Sequence, residues 1–269
     1  MNLVLAGRVI ADRRRWLVGW SIGVAGYAVM NIAFWPAIDD QAEVMNEMID
    51  RMPESLQSLF GMGGGIDPFS PVGYLSSQLY ALALPLLLLI AAIGVAGSLA
   101  GDEERGLLEI TYTLPITRTR VVAERWLALM VLTGVLALVS MVAVLISTRV
   151  VGLEVGVAPV AWATLSATLL TWAVAGIGLA VGAASGSRGA AITVPAVVAV
   201  ASYVVTSLAD AGIGFFRSIE TVSLFTRYGV VETLAGSTPL GSAVTLLVVA
   251  AAAVAVAMWA INRRDLRAG

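Results

Sequence analysis

The chain has 269 residues, 59 % hydrophobic and 13 % charged, with a net charge of −2 and a mean hydropathy of +0.90. Soluble domains carry roughly 25 % charged residues, so these proportions point to a polytopic membrane protein whose main solvent is lipid. The lack of Cys and His removes disulfides, thiolate metal sites and the usual general base, and the lack of Lys excludes a phosphate-cradling Walker loop, so any ATP that drives this protein is bound by another polypeptide.

In chain order, residues 1–15 read as an amphipathic helix lying in a membrane interface. Leu3, Leu5, Val9 and Ile10 dip into lipid, and Arg13, Arg14 and Arg15 meet headgroups. The apolar stretch 16–36 is the first of six long enough to cross a bilayer as helices, which needs roughly 20 residues. The basic start is followed by no small-residue cleavage site, so an uncleaved span is expected. Residues 37–72 form the longest polar connection. Met45, Met48, Ile49, Met52, Leu56 and Leu59 recur there at helical spacing, Pro53 starts a second helix, and GMGGG at 61–65 breaks the pattern. Thioethers could hold Cu(I), but an apolar stripe packing on the bundle accounts for the spacing, and no metal is expected.

The second span is 73–100. Residues 101–120, GDEERGLLEITYTLPITRTR, are polar between two apolar stretches. From Asp102 to Glu109 they predict a short surface helix with its acids in the first turn, where the helix dipole favours them, interrupted by Gly106 and ended by Thr113-Leu114-Pro115. The residues alone leave open a solvated loop or a docking helix for a partner. The remaining spans are 121–148, 159–184, 190–214 and 241–262, all rich in Ala, Leu and Val. Pairs of Gly four residues apart, at Gly19/Gly23, Gly97/Gly101 and Gly178/Gly182/Gly186, let helices approach closely, either within one bundle or between copies.

Arg placement gives the orientation. Twelve Arg fall at the N-terminus, in 101–125, at Arg188 and at the C-terminus, and four (Arg51, Arg149, Arg217, Arg227) fall on the other side. The twelve-Arg side is therefore cytoplasmic, with both termini inside. No Asp, Glu or Arg lies near the middle of a span, and broken helices in matching halves are missing, which disfavours an ion-coupled carrier. The hydroxyls, amides and aromatics Tyr27, Asn31, Gln78, Tyr80, Ser140, Thr171, Ser202 and Tyr203 either line a path for an amphipathic molecule or satisfy neighbouring helices.

The run Glu104-Arg105-Gly106-Leu107-Leu108-Glu109, then Leu114-Pro115-Ile116-Thr117-Arg118, resembles the segment after the second span of ABC-2 export permeases. DRRRWLVGWSIG at 12–23, FSPVGYLSSQLY at 69–80 and VSLFTRYG at 222–229 fit the same family, although Leu107 stands where Thr is commoner. The resemblance implies one all-α transmembrane domain over 1–269, six spans, and short re-entrant outer helices within 215–236. It also implies a non-catalytic subunit of the bacterial cytoplasmic membrane, paired with itself or a homologous permease. Two copies of a separate ATPase would bind ATP and Mg. Asp102, Glu103, Glu104, Arg105, Gly106, Leu107, Leu108, Glu109, Thr113, Pro115 and Arg118 would form the contact to that ATPase, with Arg188 a second, smaller one. Substrates would be small amphipathic compounds or lipids, with membrane lipid around the spans and no nucleic acid. A gradient-driven carrier and a non-transport scaffold or sensor are the competing readings.

Overall fold

A computed structural model describes residues 4–42, 44, 47, 51, 67, 69–108 and 116–264. The regular structure among them is helical, with no strand. In chain order the helices are α1 (Val4–Asp12), α2 (Arg14–Ala33), α3 (Trp35–Asp39), α4 (Pro71–Leu75), α5 (Ala83–Ala96), α6 (Ser98–Glu104) and α7 (Arg118–Val150). They continue with α8 (Val157–Ser185), α9 (Arg188–Asp210), α10 (Gly214–Ile219), α11 (Leu224–Tyr228), α12 (Val230–Leu234) and α13 (Leu240–Arg263). Six segments are long and apolar enough to cross a membrane: Arg14–Asp39, Pro71–Glu104, Arg118–Val150, Val157–Ser185, Arg188–Asp210 and Leu240–Arg263. Each matches one of the six spans read from the sequence, usually with polar residues added at its ends.

Those ends are set by capping side chains. Ser70, Thr117, Ser187 and Ser223 each precede a helix and accept from the backbone N–H three residues on, satisfying one of the free donors of the first turn. At the other end of α8, Gly186 takes a left-handed φ of 63° and returns its N–H to Gly182 O at 2.9 Å.

The fourth span, α8, is the centre of the bundle and packs on the second, third, fifth and sixth. Leu75, Leu84, Leu136, Leu170 and Leu246 meet in the core, each fully buried. Large aliphatics also face outward: Val18, Ile22 and Met30 on α2, Val197 and Val200 on α9, and Val244 and Val248 on α13. A helix apolar on both its inner and outer faces is solvated by hydrocarbon, so the chain is a multi-pass membrane protein.

Lipid supplies no hydrophobic drive between helices, so close packing holds them together. A Cβ on Gly178 would stand 2.9 Å from Ala191 O, one on Gly182 3.1 Å from Ala191 Cβ, one on Gly97 2.9 Å from Ile192, and one on Gly101 3.0 Å from the Arg188 side chain. The glycine pairs of the second and fourth spans thus form the seat for the first turns of α9. Among the described residues, Gly19 and Gly23 meet no such neighbour.

Two features differ from the sequence reading. The second span is an interrupted helix. Between α4 and α5 the chain takes one wide π turn, Ser76–Tyr80, and Leu82 leaves the helical region with φ −138°. Pro85 explains the position of the break: it has no N–H, and its ring crowds the carbonyl of Ala81 four residues earlier. The hydroxyl of Tyr228 on α11 donates to Tyr80 O at 2.8 Å and so fills part of the gap.

The second difference concerns the acids after the second span. Asp102, Glu103 and Glu104 were expected in the first turn of a separate surface helix. They occupy the last turn of α6, which continues the second span, and the helix ends at Arg105 and Gly106, whose φ is +70°. Three carboxylates at a helix C-terminus oppose its dipole, and the reason they are tolerated there is their partners, described below. Glu109, Thr113 and Pro115, with Met45, Met48, Ile49, Met52, Pro53, Leu56, Leu59 and the glycine run 61–65, lie outside the described residues.

Candidate functional site

The end of the bundle that carries α1, the α6 terminus and the start of α9 gathers most of the charge. Each acid of the α6 terminus reaches a different span. Asp102 pairs with Arg125 on α7, and also with Arg105 at 2.7 Å. The Glu103 carboxylate, almost wholly buried, pairs with Arg264 just past α13. Glu104 accepts the backbone N–H of Arg188 at the start of α9, at 2.8 Å. A short segment of the second span is thereby tied to the third, fifth and sixth spans. The charged hydrogen bonds offset the dipole mismatch of three acids in the last helical turn.

Two more connections hold this end closed. Arg118 donates to Ile261 O at 3.1 Å and Arg264 O at 2.6 Å, placing a cation on the last free carbonyls of α13. Glu124, 3 % exposed, accepts the N–H groups of Leu5 and Ala6 at 2.9 and 3.1 Å and the Arg120 guanidinium at 2.8 Å. A carboxylate of the third span therefore caps the N-terminus of α1 and docks it. Arg13, at the hinge between α1 and α2, is half-buried. Burial and then the neighbouring Arg125 draw its pKa below the usual guanidinium value, Asp102 opposes this, and Arg188 adds to it. An Arg nonetheless keeps its proton, so this end carries positive charge that its own acids leave in excess.

Beyond the acids the chain turns outward. Arg105 exposes 58 % of its side chain and Leu107 45 % of its surface, while Leu108 is buried among Val121, Val122 and Ala183. Gly106 lets the chain reverse between them without a Cβ clash. The described part of the segment thus presents a small exposed projection, Arg105-Gly106-Leu107, mounted on a buried charged base.

The eight polar residues read as a path or as internal partners divide in two. Tyr80, Ser140, Thr171 and Ser202 are buried and bonded inside the chain. Tyr80 meets Thr164 at 2.8 Å, Ser140 and Thr171 donate to carbonyls one turn back on their own helices, and Ser202 meets Ser223 and the N–H groups of Leu224 and Phe225. Tyr27, Asn31 and Tyr203 are half-buried and Gln78 is exposed. Tyr203 stands edge-on to Phe225, and the side-chain oxygen of Asn31 is buried without a hydrogen-bond partner among the described residues.

Sequence reasoning did not assign Arg120, Glu124, Arg125 or Arg264 a role. Its one signal was Glu124-Arg125 standing side by side inside an otherwise apolar stretch, a placement too costly to survive without partners.

A family model described as ABC-2 family transporter protein matches residues 4–266. No match is found among the curated proteins.

Proposed function

The chain belongs to the ABC-2 transporter family, and from that premise we propose that it is the membrane-spanning subunit of an ATP-driven exporter. A transport permease of this family associates with an ABC ATPase subunit. In the proposed assembly two ATPase copies bind ATP and Mg beneath two permeases, a second copy of this chain or a homologous one. Their closure pushes on Arg105, Gly106 and Leu107, with Glu109, Thr113 and Pro115 continuing the contact and Arg188 adding a smaller one. The charged end then faces the cytoplasm, in keeping with its Arg excess, and the membrane is the bacterial cytoplasmic one. The cargo is a small amphipathic compound or a lipid, which suits a bundle whose membrane faces are neutral and apolar.

One observation carries this reading. The exposed projection is continuous with three acids that engage α7, α9 and the end of α13. A push on the projection is therefore delivered to four spans together. Leu108, seated among residues of α7 and α8, adds an apolar anchor.

The test begins by purifying the tagged chain and identifying what co-elutes. A stoichiometric ATP-binding protein is expected; its absence in mild detergent counts against the assembly. The second step is the pair Arg105→Glu and Glu109→Arg. Substrate-stimulated ATP hydrolysis should fall at least tenfold while the helix content of the chain is unchanged. Full stimulation in both variants would remove this segment from the coupling role.

A further inference from the structure

The same end holds a cavity that shares Arg105 and Leu107 with the proposed coupling projection and extends from them to α1. It lies between α1, the end of the second span and the start of α7, with a volume of about 660 Å³, within the roughly 300–1,000 Å³ typical of small-molecule sites. Its charged lining is Arg8, Arg13, Arg105 and Arg125 against Asp12 and Asp102. Four cations less two anions leaves an excess of two positive charges. Asp102 is already shared by Arg105 and Arg125. Among the described residues, neither Arg8 nor Arg13 has a carboxylate within ion-pair distance; Arg13 meets the Trp16 ring at 5.9 Å instead. Guanidinium groups in excess, Arg13 half-buried and Arg8 exposed, call for an anion, and their forked donors fit a phosphate.

We propose that this cavity binds the phosphate headgroup of an anionic membrane lipid. Its position is the first reason. It opens where the first and third spans begin, beside the docked helix α1, which is the level of the headgroups of one leaflet. Its walls are the second. Leu5, Val9, Leu107 and Val121, with Ser98, complete the lining, so the charged floor is bordered by apolar surface along which an acyl chain continues. A free phosphate has no use for that surface, and a zwitterionic lipid brings its own cation into a site already two charges in excess. The inference stands on the cavity alone and does not depend on the direction or cargo of transport.

Native mass spectrometry of the purified chain, with any co-eluting ATPase, tests it. Phosphatidylglycerol and phosphatidylcholine are titrated in parallel at equal mole fraction, and sodium phosphate forms a third arm. Phosphatidylglycerol should be retained in preference to phosphatidylcholine. At roughly fivefold per basic residue near a headgroup, the double variant Arg8→Gln/Arg13→Gln should need about thirty times more of it for half-retention. Arg8→Lys/Arg13→Lys, which keeps both charges, should keep most of the preference. Equal retention of the two lipids, an unchanged Gln variant, or a Lys variant as poor as the Gln one overturns the proposal. So does displacement of the lipid by millimolar sodium phosphate, which would make the site one for a free anion. Loss of the ATPase from the Gln variant with lipid retention intact would give the cavity to the protein partner and overturn it too.

Discussion

Glu124→Ala should release α1 from the bundle without unfolding the six spans. The carboxylate is 3 % exposed and makes three charge-assisted contacts: Leu5 N–H, Ala6 N–H and Arg120. Hydrogen bonds to a charged group contribute roughly 1.5–3 kcal/mol each. The Arg120 contact is discounted, because that side chain is 40 % exposed and exposed pairs contribute about 0–1 kcal/mol. The two α1 donors recover part of their loss from water once the helix lifts. A net cost of about 2–4 kcal/mol remains, all of it spent on docking, and at a factor of ten per 1.4 kcal/mol this is a thirty- to several-hundredfold rise in the undocked population. Hydrogen exchange of the detergent-solubilised chain reads it directly. Amides of residues 4–12 should exchange faster by that factor, while those of α8, at the bundle centre, do not change. Glu124→Gln, which keeps one acceptor oxygen, should fall between. An exchange rate at Leu5 and Ala6 within threefold of the parent, or an equal acceleration along α8, would refute the reasoning.

The remaining predictions concern packing and backbone. Gly178→Ala drives a methyl to within 2.9 Å of Ala191 O and should cost about 1–3 kcal/mol, seen as a lower unfolding midpoint in detergent; Gly23→Ala, with no neighbour within 4 Å, should leave the midpoint unchanged or raise it. Tyr228→Phe removes the donor to Tyr80 O in the wide turn and should cost about 1–2 kcal/mol in the same assay. Gly106→Ala forces a side chain into the left-handed region at φ +70°, at about 1–2 kcal/mol; the unfolding midpoint should fall about as far as in Tyr228→Phe, and substrate-stimulated hydrolysis should drop even well below that midpoint.

The six spans were legible because hydropathy over twenty residues is a strong signal. Their ends were not, because hydropathy penalises every charge whether or not it has a partner. The third span was placed at 121–148 and runs Arg118–Val150, since Arg118 and Arg120 are helical residues with acceptors of their own. The acidic run was recognised as the distinctive segment, yet its helix was placed one step too late. Favourable first-turn acids look the same in sequence as unfavourable last-turn acids, and the difference lies in Arg125, Arg188 and Arg264, up to 161 residues away. The small-residue pairs of the second and fourth spans are close-packing sites as read, with the fifth span as their partner, whereas Gly19 and Gly23 meet no neighbour among the described residues. Pro85 was visible throughout, and its effect on the turn before it could have been anticipated from its ring and missing N–H.

The wide turn at Ser76–Tyr80 sets how far a displacement travels along the second span. From Ala83 to Glu104 the span runs as two helices joined end to end at Gly97, whose N–H and carbonyl both stay in i to i−4 bonds (to Ile93 O and from Gly101 N–H). At Leu82 the backbone departs from the helix, and the wide turn before it is held by its own Ala81 N–H to Ser76 O bond and from the side by the Tyr228 hydroxyl. The two ends of this span are therefore built unequally, and under the proposed coupling a push would be carried by the α6 end while the wide turn absorbs it at the other.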